Sequence, residues 1–342
     1  MNRLSAEKSQ EAITSALAVA FGTIGTVFVV AFFHIPDAYI ALSLAASLSL
    51  LPRPTFRNFI LHIACVTLGI SCGVFLIATL PQSPWIYFFF IGFITATGYH
   101  LVLKHVGTGA AYLFSAYFAA MSVEAITKVF SSDVVIVGLE LLAQAISAIV
   151  VTYIVAIILR KKSVDSNNPA FRSPISSMTS ITIVVWIAIL VAFSLKTDQS
   201  ARLIIASIAG ITALETERST ESFRKRMLGY ILGAIFSISF IVAIVASTND
   251  LAIYLFGLGF LFGLLEWLAN YYSSQKILFR AITMMFSYSA LMLPSPDSNL
   301  QVSMSRVVAS LIGFTISILV FLVMVEAKKI TRFMISPKSV ID

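Results

Sequence analysis

The chain has 342 residues, of which 58% are hydrophobic and 11% charged, with a formal net charge of +7. Soluble domains carry about 25% charged residues, so this composition excludes a water-soluble fold. Apolar runs of about 20 residues recur along the whole length and are continuous rather than alternating, which points to membrane helices and excludes a β-barrel.

Taken in chain order, the runs predict an all-α polytopic membrane protein with about twelve transmembrane helices. Residues 1–10 are polar and read as a cytoplasmic N-terminal tail, followed by a retained first span rather than a cleaved signal. The first six spans are expected at 11–33, 37–52, 57–80, 84–103, 108–128 and 134–159. A polar, breaker-rich linker occupies 160–175. The second six spans are expected at 176–195, 200–214, 224–247, 250–271, 276–294 and 302–327, before a cytoplasmic tail over 328–342.

The cations set the orientation. With the N-terminus inside, only Lys128, Lys196, Arg202 and Arg306 of the 23 Lys and Arg fall on the outer side. That asymmetry predicts both termini in the cytoplasm and an even number of spans. It also explains the net positive charge by topology, so nucleic acid is not an expected partner.

A repeated stretch suggests how the chain is divided. Ser219–Ser237 runs from a polar turn through the basic landing Arg224, Lys225 and Arg226 into a helix with Gly229, Gly233 and Ser237 at four-residue spacing. Pro54–Gly73 is a degenerate copy, with Arg57 as its cation and Cys65, Gly69 and Gly73 as its small stripe. Small residues at this spacing let membrane helices approach closely. In the second half they are expected to seat the ninth helix on the short eighth. The two copies predict a 6+6 duplication, residues 11–159 and 176–327, as parallel six-helix repeats. Cys65 and Cys72 are most simply small packing residues, with neither metal spacing nor a disulfide framework.

Chemistry is sought in the short spans and the intramembrane charges. The second and eighth runs cover about 21 Å of a core about 30 Å thick. They carry Ser43, Ser47, Ser207 and Thr212, which are candidates to line a substrate path, since paired short segments mark transporter sites. An ionisable group at mid-membrane costs about 2.5–3.5 kcal/mol, so each needs a reason. His100 and Glu266 are 166 positions apart, as are Glu140 and Arg306. The expectation is an inner protonatable cluster of His100, Glu266 and His62, and an outer one of Glu140, Arg306 and Glu124. Such groups suit proton coupling, and Arg306 suits bidentate capture of a carboxylate. Interfacial snorkelling and structural ion pairing are the alternative readings of the same residues. No nucleotide loop, zinc signature, cofactor motif or nucleophile elbow is present, so neither catalysis, a metal nor a cofactor is expected.

The unit Arg224-Lys-Arg-Met-Leu-Gly229-Tyr-Ile-Leu-Gly233, following a short span and a polar turn, resembles the hallmark of the fusaric acid resistance and aromatic acid exporter superfamily. Pro54-Thr55-Phe56-Arg57 is similar to the corresponding turn of the first half, with Cys65 standing where the first glycine is expected. The resemblance is to a short form lacking the large cytoplasmic domain of many exporters in the group. It implies a multi-pass protein of the bacterial inner membrane that exports small organic anions such as aromatic carboxylic acids. It also implies a periplasmic adaptor of the membrane-fusion type as partner; a homo-oligomer is compatible with it. A non-transporting scaffold that docks such an adaptor, or a passive channel, would share these features.

Overall fold

The computed structural model describes residues 3–35, 39–50, 53–79, 84–105, 107–128, 134–161, 174–195, 199–215, 220–245, 250–289 and 300–335. Among them are twelve α-helices. The first six are α1 (Arg3–Phe32), α2 (Tyr39–Leu50), α3 (Phe56–Thr79), α4 (Pro84–His105), α5 (Thr108–Lys128) and α6 (Val134–Ile158). The second six are α7 (Pro174–Leu195), α8 (Ser200–Glu215), α9 (Thr220–Phe240), α10 (Leu251–Tyr271), α11 (Lys276–Ser289) and α12 (Leu300–Ile335). A π-helical turn, Ile241–Val245, extends α9, and a 3₁₀ turn, Ser273–Gln275, joins α10 to α11. Helix α1 begins at Arg3 and α12 continues to Ile335, so helix runs into both segments read as tails. Most of the segment read as a linker, 162–173, lies outside the described residues.

Seven helices, α1, α3, α4, α6, α9, α10 and α12, are long and apolar enough to cross a membrane. The twelve helices sort into two shells. Large exposed apolar side chains such as Phe21, Phe75, Phe93, Ile158, Phe256 and Val323 lie on α1, α3, α4, α6, α7, α9, α10 and α12. Among the described residues none lies on α2, α5, α8 or α11, whose side chains are buried nearly all round. Phenylalanine is thus spent largely on the outer shell, whereas α2 and α8 are rich in Ala and Ser.

In lipid no hydrophobic force drives helices together, so close packing must do so, and small residues permit it. A Cβ on Gly69 of α3 would lie 2.7 Å from the Phe114 carbonyl oxygen and 3.2 Å from the Phe118 nitrogen of α5. On Gly229 of α9 it would lie 2.7 Å from the Leu278 oxygen and 3.3 Å from the Ile282 nitrogen of α11. Gly73 and Gly233, one turn on, meet Met121 and Met285 in the same way. The partner of the ninth helix is therefore α11, not the short eighth helix. Helix α8 instead packs on α12, where a Cβ on Gly313 would lie 2.5 Å from the Leu203 oxygen and Ser317 donates to the Ser207 carbonyl at 2.6 Å. These contacts also equate Gly69 with Gly229. Cys65 then lies one turn before the shared glycine, buried against Ala110 and Phe114, rather than in the glycine's place.

The pairings recur between the first six helices and the last six. α3 packs on α5 as α9 does on α11; α2 on α1 and α6 as α8 does on α7 and α12. Across the halves, α1 packs on α10 as α4 does on α7, and α5 on α8 as α2 does on α11. Each half therefore supplies part of the other's packing surface, and the four inner helices meet at the centre.

Candidate functional site: a charged cluster on α10 and α11

Close approach of α1 and α10 starts the site. Gly259 receives Ile24, and a Cβ on Gly263 would lie 3.4 Å from the Ala20 Cβ and 3.6 Å from the Ala16 oxygen. This brings Ser15 of α1 against Glu266 of α10. Glu266 is fully buried, at 0% exposure. Its Oε1 accepts hydrogen bonds from Ser15 Oγ (2.9 Å), Asn270 Nδ2 (2.8 Å) and an Arg280 terminal nitrogen (3.2 Å). Asn270, one turn further along α10, also donates to the Glu266 carbonyl at 2.9 Å. The 3₁₀ turn folds α11 back beside α10, which is how Arg280, fourteen residues later, reaches the carboxylate.

Two further cations join this pair. Lys276 opens α11 one helical turn before Arg280 and lies in the electrostatic field of Arg280 and Glu266. Lys161 arrives through a left-handed turn at the end of α6. Arg160 has φ 51°, its N–H bonds the Ile157 carbonyl, and the Lys161 N–H bonds the Ala156 carbonyl. This is a Schellman closure with a non-glycine residue at the strained position. It tucks Lys161 under α2, where Nζ donates to the Ser49 carbonyl at 2.7 Å. A cation at the C-terminal end of a helix offsets the negative pole of its dipole. Burial holds the Lys161 ammonium pKa below its ordinary value, with the Glu266 charge opposing that shift and the Arg280 charge adding to it.

At the centre, Tyr112 of α5 and Tyr288 of α11 share a 2.8 Å hydrogen bond across the two halves. Phe314 of α12 meets Tyr288 edge-on and stacks on Tyr230 of α9. Replacing Tyr288 by Phe should cost about 0.6–1.7 kcal/mol, the range for hydrogen bonds between membrane helices. The readout is the unfolding midpoint in detergent, and an unchanged midpoint would show the bond to be idle.

The predicted site residues are distributed otherwise than expected. The partners of Glu266 are Ser15, Asn270 and Arg280, not His100 or His62. Gly92 and Gly259, 167 positions apart, receive Trp186 and Ile24 at equivalent packings, and at that separation Glu266 matches buried Tyr99. The half-buried His100 sits one residue off that register. His62 lies against Gly109 at the start of α5, 3.4 Å from where a Cβ would be. Glu140 on α6 and Arg306 on α12 are half-buried and form no ion pair with each other, and their helices are not packed together. The Glu124 side chain lies outside the described residues.

The hydroxyls of the short helices turn inward on their own backbones. Ser43 bonds the Ile40 carbonyl, Ser47 that of Ser43, Ser207 that of Leu203, and Thr212 that of Ile208. Such bonds satisfy a hydroxyl inside a packed helix without a cavity. In the basic landing, Arg57 and Arg224 are exposed and Arg226 is half-buried. Lys225 pairs with Glu221 at 2.6 Å and donates to the Ser274 carbonyl, so it ties α9 to the α10–α11 turn.

Sequence reasoning used Lys161, Lys276 and Arg280 only to set topology, and passed over Ser15 and Asn270. The available signal was the spacing of Glu266 and Asn270, and of Lys276 and Arg280, four apart on two helices joined by a tight turn. Arg202, read as an outer-side cation, is 1% exposed in the first turn of α8.

The two-shell bundle of apolar helices, with a charged cluster buried between them, defines a polytopic α-helical membrane protein. Residues 185–320, which include Glu266, Lys276 and Arg280, match the family model described as fusaric acid resistance protein-like. The resemblance read from the glycine-stripe helix is borne out over that region. No curated protein and no solved structure matches the chain.

Proposed function

We propose that this protein is a secondary efflux transporter for small organic anions such as aromatic carboxylic acids, with proton movement coupled through Glu266. The observation that carries the reading is a fully buried carboxylate shared with an arginine inside the family-matched region. Intramembrane ionisable groups of this kind mark ion and proton pathways. The halves act as parallel repeats, supported by the recurrent helix pairings. The cluster lies at the cytoplasmic end of the bundle of a bacterial inner-membrane protein, supported by the bias of its cations. A periplasmic adaptor is the expected partner.

A strain lacking the gene, with and without the protein restored, should differ in growth on a panel of aromatic acids. Protection by the intact chain and its loss in Glu266→Gln is the expected result. Equal growth across the panel would remove aromatic acids as substrates. Export that proceeds equally in Glu266→Gln and at every proton gradient would favour a passive channel.

A further inference from the structure

The inner helices are sealed at one end of the bundle and not at the other. Helix α3 begins where α2 finishes and runs parallel to α5, since Gly69 meets Phe114 and Gly73 meets Met121. Helix α9 stands in the same relation to α8 and α11, through Gly229 and Gly233. Ser15 in the first half of α1 meets Glu266 near the end of α10, so the two halves share this end. There the chain finishes α2 and α8 and begins α5 and α11. At the opposite end residues 40–46 of α2, 113–123 of α5, 200–211 of α8 and 285–289 of α11 are all buried. The half-buried positions of these helices lie toward the shared end: Ser47 on α2, Tyr112 on α5, Thr212 on α8 and a stripe on α11. Each inner helix has an end on both sides, so an end effect alone would expose both alike.

The stripe on α11 gives the depth of the opening. Lys276, Arg280, Met284 and Tyr288 follow at four-residue spacing and so share one face of the helix. The first three are half-buried, whereas Tyr288 is 4% exposed. Met284 stands two turns beyond Lys276, about 12 Å along the axis. A stripe that opens with two cations meets water rather than hydrocarbon, where charged side chains are costly. It stops at aromatic rings. Tyr288 bonds Tyr112 at 2.8 Å and meets the Phe314 ring edge-on at 5.6 Å. Tyr230 stacks on Phe314 at 4.2 Å and donates to the Met284 sulfur at 4.0 Å. Phe314 also covers Gly210 of α8, where an added Cβ would lie 3.0 Å from its ring. These contacts tie α5, α8, α9, α11 and α12 together at the level where exposure ends.

We propose that the four inner helices enclose a water-filled vestibule open only at the end where α2 and α8 finish. Its floor is the Tyr112–Tyr288 pair with Tyr230 and Phe314, and Met284 lines its deepest reach. Its meaning as a substrate entrance rests on the transport reading, but its test does not. On that reading the structure is the state open to one side, and the aromatic floor is what must part for substrate to pass.

The test uses the full chain in phosphatidylcholine nanodiscs, which leave both ends accessible, with Cys65 and Cys72 replaced by alanine. A single cysteine is then introduced by Met284→Cys, Thr212→Cys, Met285→Cys or Ser207→Cys. The readout is its rate of reaction with a charged, membrane-impermeant maleimide. The thiolate is the reacting form, and it forms readily only where water reaches the sulfur. Met284→Cys and Thr212→Cys should react about tenfold faster than Met285→Cys and Ser207→Cys, whose native side chains are fully buried. If Met285→Cys does not fold, Ser207→Cys alone supplies the closed reference. An unreactive Met284→Cys beside a reactive Thr212→Cys would overturn the vestibule and leave only an exposed rim. Equal rates at all positions would overturn the closed floor, as a channel open from end to end would give. A reactive Met284→Cys without export in the growth assay would sink the transport reading alone; export with Met284→Cys unreactive would sink the vestibule alone.

Discussion

Replacing Gly229 by alanine is expected to lower the thermal midpoint of the detergent-solubilised protein sharply, and replacing it by valine to abolish recovery of folded material. The added Cβ would sit 2.5 Å from Ala281 Cβ and 2.7 Å from the Leu278 carbonyl oxygen. Neither neighbour is the far end of a flexible side chain, so α9 and α11 must separate. Overpacking a filled contact costs about 1–3 kcal/mol, and more where backbone must move. In lipid the lost packing is not replaced by hydrophobic burial elsewhere. Gly263 gives the control, because the same Cβ would meet its neighbours at 3.4 and 3.6 Å. Gly263→Ala should be neutral, or slightly stabilising through helix propensity, by about 0.5–1 kcal/mol. Equal midpoints for the two alanine variants would contradict the close α9–α11 contact.

The contrast between these glycines shows what could be read from residue order. Four-residue spacing of small residues announces that a helix has a close neighbour, and does so correctly for Gly69, Gly73, Gly229 and Gly233. It does not name the neighbour. The choice of α11 over α8 depends on which inner helix presents backbone at the right height, a property of the whole bundle. Helix positions were legible because lipid demands long apolar runs, and α11 was legible as far as Ser289. The shells were not: α5 is more apolar than α9, yet α5 is enclosed and α9 faces outward, since both surroundings tolerate the same side chains.

The site was half legible for a related reason. A glutamate in an apolar run stands out, so Glu266 was found. Its partners were assigned by a constant separation between halves, and that separation is not constant: it is 160 positions for Gly69 and Gly229 but 167 for Gly92 and Gly259. A one-residue slip turns a helical side chain by about 100°, enough to exchange Tyr99 for His100. Arg280 and Lys161 were hidden by position, because cations near helix ends serve the orientation rule equally well whether they reach water or fold back onto the protein, Arg280 on the Glu266 carboxylate and Lys161 on the Ser49 carbonyl.

Arg280→Ala is the substitution expected to injure the cluster most. It leaves the Glu266 carboxylate, fully buried in the wild-type protein, with only the neutral hydrogen-bond donors Ser15 and Asn270. Removing one member of a buried ion pair costs about 3–5 kcal/mol, because the survivor's charge is uncompensated. Glu266→Gln leaves Arg280 partly exposed and able to reach water, so its loss should be smaller. The double variant Glu266→Gln/Arg280→Met removes both charges, and should be markedly more stable than Arg280→Ala alone at neutral pH. These three variants and the wild-type protein, compared by unfolding midpoint at neutral pH, separate the pair from its parts. If Arg280→Ala is no less stable than Glu266→Gln, Glu266 is not held as a buried anion by Arg280.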